Sequence, residues 1–157
     1  MENNDQNTML DMVPEQQALV VAQPLFTPQE IAVSSWTSLS MTTHRDKAMV
    51  FNAISNPDHK IIDFVGKKIE FVDVYAQAEK FVDDESGEIS DGTRVILFGV
   101  NGESYTCVSG GIKRSIQALF ATFGIPPYNP PLAVIPALVR STMDAKKNIL
   151  KLNIPID

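Results

Sequence analysis

The sequence predicts a mainly β domain, a small and partly open β-barrel with one α-helix, preceded by a flexible N-terminal arm. Two strand-like runs flank Asn101-Gly102, a pair that favours the tight turn of a β-hairpin. The second run leads through Ser109-Gly110-Gly111 into a segment with apolar residues at helical spacing. Further runs rich in β-branched and aromatic residues precede and follow this passage, so strands outnumber helices.

The length and the cysteine content limit the class of protein. With 157 residues, the chain can form one domain with its own core but not two. Cys107 is the only cysteine, which excludes an intramolecular disulfide and a four-cysteine or cysteine and histidine zinc site. The N-terminus does not resemble a signal peptide, and no stretch approaches the ~18 apolar residues of a membrane span. We therefore expect a cytoplasmic protein without a membrane partner.

The net charge of −6 is distributed unevenly along the chain. Residues 1–40 carry five acidic and no basic side chains, and residues 83–92 carry five further acids and again no base. Residues 93–157 carry seven bases and three acids. Because the local field decides whether a polyanion is attracted, the domain expected at residues 41–157 can bind one despite the net charge. Residues 1–40 are predicted to form an acidic, largely disordered arm.

The strands are predicted in the following order. Lys47–Ile54 is a short apolar run that ends at a polar turn. Lys67–Val82 has β-branched and aromatic residues on both faces, which is typical of a long, bulged or curled strand. The acidic residues 83–92 then form an exposed hairpin loop. The next hairpin turns at Asn101 and Gly102, which suit a type I′ turn because both residues tolerate positive φ.

The helix and two more strands complete the domain. The helix has an apolar face that begins at Ile112, and Gly124 ends it. The prolines that follow prevent the helix from resuming. In the first of the two closing strands, Pro136 indicates an edge position or a bulge. Several strands, a helix after the third or fourth of them, and a final hairpin are the order of the oligonucleotide-binding (OB) fold.

The sequence contains no catalytic or metal-binding constellation. His44 and His59 have no cysteine or carboxylate at a spacing that suggests a ligand set or a triad. The segment Gly110–Ser115 has two cations before a serine, but it lacks the Gly-x-x-x-x-Gly-Lys-Ser/Thr frame of a phosphate loop. We therefore expect neither an enzyme nor a cofactor or metal site.

Lys113 and Arg114 lie in the first turn of the predicted helix. Cations at this end oppose the helix dipole, so helix stability does not explain them. An anion is attracted both by the dipole and by the two side chains. This pattern favours phosphate contact over a merely solvated surface, although both interpretations remain open.

Aromatic residues on the predicted strands favour single-stranded over double-stranded nucleic acid. Single strands are held by bases stacked on aromatic rings, with cations along the backbone, whereas the helix lacks the polar side chains of a duplex reader. A phenylalanine on a strand is more often a core residue, whereas the hydroxyls of Tyr75 and Tyr105 favour a wet position, and Trp36 could either anchor the arm on the core or contact a partner. The candidate nucleic-acid-binding residues are Lys47, Phe51, Tyr75, Lys80, Arg94, Phe98, Tyr105, Lys113 and Arg114.

Several short motifs resemble those of the single-stranded DNA-binding proteins of tailed bacteriophages that infect Gram-positive bacteria. The motifs cover about half of the chain, from Lys47 to Phe123, and their order and spacing make the resemblance more specific than any one of them. The residues that match are Phe51, Asn52 and Ala53, then Gly66 to Tyr75, and then Asn101, Gly102, Tyr105, Ser109, Gly111, Arg114 and Ser115.

The resemblance implies an OB-like protein that protects exposed single strands during phage DNA replication or recombination, in the host cytoplasm. Single-stranded DNA is the expected partner, and replication proteins such as a polymerase or a helicase are possible further ones. The alternative is a non-catalytic protein-interaction or structural phage component, in which the aromatic residues are all core and the basic residues are solvated.

Overall fold

The computed structural model describes residues 34–143 and 146–156. Most of the predicted arm, residues 1–33, lies outside them, but its end carries the first strand. The strands are β1 (Ser35–Thr37), β2 (His59–Lys60), β3 (Ile69–Phe71), β4 (Asp73–Val82), β5 (Ile89–Phe98), β6 (Ser104–Val108), β7 (Leu132–Arg140) and β8 (Asn148–Asn153). The helices are α1 (His44–Ser55), a short 3-10 helix (Ile61–Phe64) and α2 (Gly110–Phe123).

The strands form two sheets that do not close into a barrel. The first sheet has the order β1-β4-β5-β6-β2, and the second has the order β3-β7-β8. Neighbouring strands are antiparallel except β2 and β6, which run parallel. The predicted mainly β class with an open architecture is confirmed. Neither helix of the described residues is long and apolar enough to cross a membrane.

The segment Lys67–Val82, predicted as one bulged strand, is divided at Val72 between the two sheets. Val72 donates its N–H to the carbonyl of Phe98 at 2.8 Å, and its own carbonyl accepts the N–H of Tyr128 at 2.9 Å. The alternation of buried and exposed residues shifts by one position here: Phe71 is buried before the break, and Val74, three residues later, is buried after it. This change explains why both faces of the segment read as partly apolar in the sequence.

The prediction of a strand at Lys47–Ile54 is wrong, and residues 34–143 and 146–156 therefore contain two α-helices where the sequence predicted one. The segment lies in α1, whose N-cap is Thr43: its side-chain oxygen accepts the N–H of Asp46 at 3.1 Å. Val50 and Ala53, three residues apart, are buried together, which is a helical and not a strand spacing. The cap lies upstream of the apolar run and stabilises the start of the helix.

The hairpin between β5 and β6 is confirmed, but its turn is not type I′. Gly99 donates to the carbonyl of Glu103 at 2.8 Å, and Gly102 donates to the carbonyl of Gly99 at 3.0 Å. Gly102 has a φ of 84°, whereas Asn101 does not have positive φ. The loop is the three-residue kind, in which a glycine in the left-handed region follows the turn.

Helix α2 packs the main core between the two sheets. Its residues Ile112, Ile116 and Leu119 are buried, as the predicted apolar face requires, and Gly124 follows its last residue with a φ of 85°. A second, smaller core lies on the other face of the first sheet, under α1. The main core comprises Ile61, Ile69, Phe71, Val74, Val95, Leu97, Tyr105, Ile112, Ile116, Leu119, Val134 and Leu150.

Pro136 lies in β7, the middle strand of the second sheet, where it is opposite Leu152 of β8. The pairing of β7 with β3 ends at Val134, before the proline. Beyond it, the carbonyl of Pro136 accepts the N–H of Gly66 at 2.9 Å. The proline therefore occupies a local edge, because the missing N–H would point to the side on which the ladder has already ended.

Candidate nucleic-acid interface

A groove of about 630 Å³ runs between the end of β6, the first turn of α2, and strands β7 and β8. Three of its lining residues are basic, namely Lys60, Arg94 and Arg114, and none is acidic. The remaining walls are small, polar or apolar: Ile62, Thr106, Cys107, Val108, Ser109, Gly110, Gly111, Leu138, Asn148, Ile149 and Leu150. In a chain with a net charge of −6, this lining creates a locally positive groove.

The strand register brings Lys60 and Arg94 to the same side of the first sheet. Lys60 is the parallel partner of Thr106 on β6, and Arg94 on β5 is the antiparallel partner of Val108, two residues along the same strand. Side chains of paired residues point to the same face of a sheet. The two cations thus flank the end of β6.

Arg94 is held firmly in the wall of the groove. Its Nε and Nη2 donate to the two carboxylate oxygens of Glu79, the second bond measuring 3.0 Å, and its Nη1 donates to Thr106 Oγ1 at 3.3 Å. Both partners of this ion pair are largely buried. Because Glu79 compensates its charge, Arg94 presents an oriented guanidinium plane more than a free positive charge.

Lys60 and Arg114, in contrast, are exposed, and neither forms an ion pair with another residue of the segments 34–143 and 146–156. Arg114 follows the cap of α2, where Ser109 Oγ accepts the N–H of Ile112 at 3.4 Å. These two side chains can therefore exchange water for a phosphate without breaking a protein contact.

Gly111 sets the distance between α2 and β8 at the floor of the groove. A Cβ atom at this residue would lie 2.2 Å from the carbonyl oxygen of Leu150 and 2.5 Å from Cγ2 of Ile149. A side chain at this point would push the start of the helix away from the strand. Gly111 therefore has a packing role. From the sequence, it was expected only to let the chain turn.

The family model of the phage single-stranded DNA-binding protein matches residues 29–154, which is most of the chain. The chain belongs to this family. It therefore binds single-stranded DNA in phage replication, and the family predicted from the motifs is confirmed. No curated protein and no solved structure matches the chain.

Of the predicted site residues in this single-stranded DNA-binding protein, Arg94 and Arg114 lie together in the groove. Lys113 lies on the other side of the helix start, in a second depression that also contains Phe81. Lys80 is exposed on β4, opposite Asp91. The structure thus separates the two neighbouring cations of the predicted phosphate site.

Lys47 and Phe51 lie on α1, one turn apart, instead of on a strand. Both are exposed, and 72% of the Phe51 surface is accessible. They do not line the groove. The helix carries them on the face that does not contact the small core, because residues four apart share a side.

Phe98 and Tyr75 belong to the core under α1, with exposed fractions of 0% and 6%. The hydroxyl of Tyr75 donates to Gln77 Oε1 at 2.7 Å. Neither ring therefore offers a face to a base. The core interpretation, which the sequence favoured for a strand phenylalanine, applies to Phe98. The burial of Tyr75 contradicts the wet position expected from its hydroxyl.

Tyr105 is also buried, with 8% of its surface exposed. Its ring stacks on His59 with centroids 4.9 Å apart and meets the edge of Phe64 at 5.1 Å. Its hydroxyl donates to Glu103 Oε2 at 3.0 Å. Burial, reinforced by Glu103, raises the pKa of Tyr105 to about 12.

This raised pKa predicts a loss of stability at alkaline pH. The unfolded chain releases the Tyr105 proton near pH 10, whereas the folded chain retains it until about pH 12. Between these values the folded state binds more protons, so the free energy of unfolding falls as the pH rises. Urea unfolding at several pH values should show a smaller fall for Tyr105→Phe; equal slopes for both proteins would contradict the prediction.

Trp36 lies on β1, where it is paired with Ala76 of β4. Its ring is 5.2 Å from that of Phe120 on α2, which agrees with the anchoring interpretation, and 40% of its surface remains exposed. The segment predicted as the end of the arm thus contributes an edge strand to the first sheet.

Sequence reasoning missed Lys60, Thr106 and Asn148 as residues of the groove. Lys60 belongs to a two-residue strand, which is too short to give a periodic signal. Asn148 enters the groove only because β8 lies beside α2. Among residues 34–143 and 146–156, no group of three or more His, Cys, Asp or Glu is arranged to hold a metal ion.

Proposed function

We propose that this family member binds single-stranded DNA without strong sequence preference, and that the strand lies in the groove lined by Lys60, Arg94 and Arg114. The observation that carries this proposal is the groove itself, whose lining contains Lys60, Arg94 and Arg114 and no acid, while Glu79 behind the lining neutralises Arg94. Two of these cations are free to bind phosphate oxygens, which are present in every sequence.

The walls of the groove support sequence tolerance. Apart from the cations, they consist mainly of small and aliphatic residues, with Thr106, Ser109 and Asn148 as the polar ones. Base readout requires donors and acceptors placed against base edges, and phosphate contacts carry no sequence information. A strand held mainly by its backbone therefore binds with similar affinity whatever its bases are.

Fluorescence anisotropy with labelled single-stranded oligonucleotides of different base composition tests this proposal. We expect similar affinities for all of them, weaker binding as salt increases, and much weaker binding to a duplex of the same sequence. Strong preference for one composition, or equal affinity for the duplex, would contradict it.

Arg94 has a different role from Arg114, because Glu79 already neutralises its charge. We propose that its oriented guanidinium contacts a base, by stacking or through its remaining N–H groups. Arg114 binds a phosphate. The two residues can be distinguished by the salt dependence of binding.

The double variant Arg94→Gln/Glu79→Gln removes one charge of each sign. We expect it to bind single-stranded DNA more weakly with an unchanged salt slope, whereas Arg114→Gln reduces the slope by about 0.7, the value for one phosphate contact on a single strand. Anisotropy titrations between about 50 and 200 mM salt give both slopes. An equal reduction of the slope in the two variants would contradict the assignment.

Lys47 and Phe51 on α1 provide a second proposed contact. Phe51 is the most exposed of the predicted aromatic residues, and Lys47 lies one turn before it. A base can stack on such a ring while the cation binds the adjoining phosphate. Phe51→Ala should weaken binding by at least about five-fold, the low end for loss of one stacked base, and it should leave the fold intact because the side chain is exposed.

The biological setting follows from the same activity. We propose that the protein protects exposed single strands during phage DNA replication or recombination in the host cytoplasm, and that it acts without catalysing a reaction. Replication proteins such as the polymerase or the helicase meet it on the same strand, which makes them the natural protein partners.

A further inference from the structure

A second depression, of about 550 Å³, adjoins the groove at the start of α2. The two cavities share Val108, Ser109 and Gly110, so only this short ridge separates them. Gly110 is exposed and has no heavy atom within 4 Å of the place where a side chain would begin. A DNA strand that leaves the groove can therefore cross the ridge without obstruction from the protein.

The depression contains a half-buried aromatic ring on a glycine floor. Phe81 lies near the end of β4, and its ring approaches Gly92 of the neighbouring strand. A Cβ atom at Gly92 would lie 2.5 Å from Cε2 of this ring. The missing side chain lets the ring settle on the sheet, in the way that aromatic platforms for bases lie on other single-strand binders.

The depression follows a free strand edge. Pairing between β5 and β6 stops at Arg94 and Val108. Within the described residues, the part of β5 before Arg94 pairs with β4 alone. Its unpaired peptide groups beside Gly92 and Thr93 are donors and acceptors that a base can reach.

The charges along the depression favour a phosphate on one side and a base on the other. Lys113 is exposed on the α2 side and has no ion-pair partner among residues 34–143 and 146–156. Asp91, an exposed residue of β5 opposite Lys80, is the single acid in the lining, and it disfavours a phosphate on the β5 side. A base is uncharged, so the β5 side suits a base and the Lys113 side suits the phosphate next to it.

We propose that the single strand continues from the groove over Gly110 into this depression, where a base stacks on Phe81 and Lys113 binds the adjoining phosphate. The inference rests on the proposed path of DNA through the groove and extends it by a second binding site. It assigns a function to Lys113, which the groove leaves out, and to Phe81, which the sequence did not single out.

The test compares oligothymidylates of two lengths, roughly 4 and roughly 16 nucleotides, which span the site sizes of single-strand-binding folds. The variants are Phe81→Leu, which retains an apolar side chain without a ring, and Phe81→Tyr, which retains the ring. Arg114→Gln reports on the groove. Anisotropy at one low salt concentration gives all the affinities, and circular dichroism checks that each variant is folded.

We expect Phe81→Leu to weaken binding of the long oligonucleotide by at least about five-fold, the low end for loss of one stacked base. Binding of the short oligonucleotide, which the groove alone accommodates, should not change. Phe81→Tyr should bind both as the wild-type chain does, and Arg114→Gln should weaken both.

Three results would overturn the inference. If Phe81→Leu binds both lengths normally while Arg114→Gln weakens both, the groove binds DNA and the depression does not. The free edge of β5 would then be available to a peptide strand instead of DNA. If Phe81→Leu weakens the short oligonucleotide equally, the depression is not a continuation of the path. If Arg114→Gln has no effect on either length, the groove proposal fails and this inference fails with it.

Discussion

The double variant Lys60→Gln/Arg114→Gln is expected to bind single-stranded DNA at least ~10-fold more weakly than the wild-type chain, because two charge-assisted contacts are lost. Both side chains line the groove and are exposed. The slope of the logarithm of the affinity against the logarithm of the salt concentration should fall by roughly 1.4, since each phosphate contact on a single strand contributes about 0.7.

A matched control removes the same number of charges elsewhere. Lys67 and Lys151 are exposed and do not line the groove. The variant Lys67→Gln/Lys151→Gln removes two positive charges outside the groove, and circular dichroism checks that loss of the contact between Lys67 Nζ and the Phe64 ring, 6.0 Å from its centroid, leaves the fold intact. If it weakens binding as much as the groove variant does, attraction is a property of the whole surface, and the groove has no special role.

Gly111→Ala is expected to destabilise the fold by roughly 1–3 kcal/mol, the usual cost of overpacking a well-packed site. The new methyl group would lie 2.2 Å from the carbonyl oxygen of Leu150. This neighbour is backbone of β8, which pairs with β7 along its length, so it cannot rotate away as a side chain could. Helix α2 or strand β8 has to shift, which weakens the main core between the sheets.

The neighbouring glycine provides the control for this prediction. Gly110 also lies in the first turn of α2, but nothing lies within 4 Å of its Cβ position. Gly110→Ala should leave the free energy of unfolding unchanged or raise it by up to about 1 kcal/mol, because alanine restricts the unfolded chain. Urea unfolding measures both variants, and equal stabilities for them would refute a packing role for Gly111.

The elements whose signals are local could be predicted from the sequence. The apolar face of α2 and its end at Gly124 are determined by residues close together in the sequence. The hairpin between β5 and β6 follows from the turn residues between two apolar runs. Helix α1 could not be separated from a strand by its short apolar run alone, since its cap at Thr43 lies upstream of that run. The turn type depends on Gly99 as well as on Asn101 and Gly102, because the hydrogen bonds that close the loop begin and end at Gly99.

The site was predictable only where a local rule applied. Cations oppose the helix dipole at the start of α2, which points to Lys113 and Arg114 in the sequence; only Arg114 lies in the groove. Lys60 and Glu79 come from other strands, and only the register between β2, β4, β5 and β6 brings them to Thr106 and Arg94. Aromatic residues on strands could not be divided into core and surface, because the main sheet is covered on both faces along part of its length.

Amide chemical shifts of the isotope-labelled protein, recorded during titration with an oligothymidylate, test the central claim most directly. If the strand lies in the groove, the largest changes at saturation occur at Gly110 and Gly111 of α2, at Thr106 of β6 and at Asn148 of β8, all of which line it. If saturation with DNA leaves these amide shifts unchanged and shifts the amides of α1 or another surface instead, the strand does not lie in the groove.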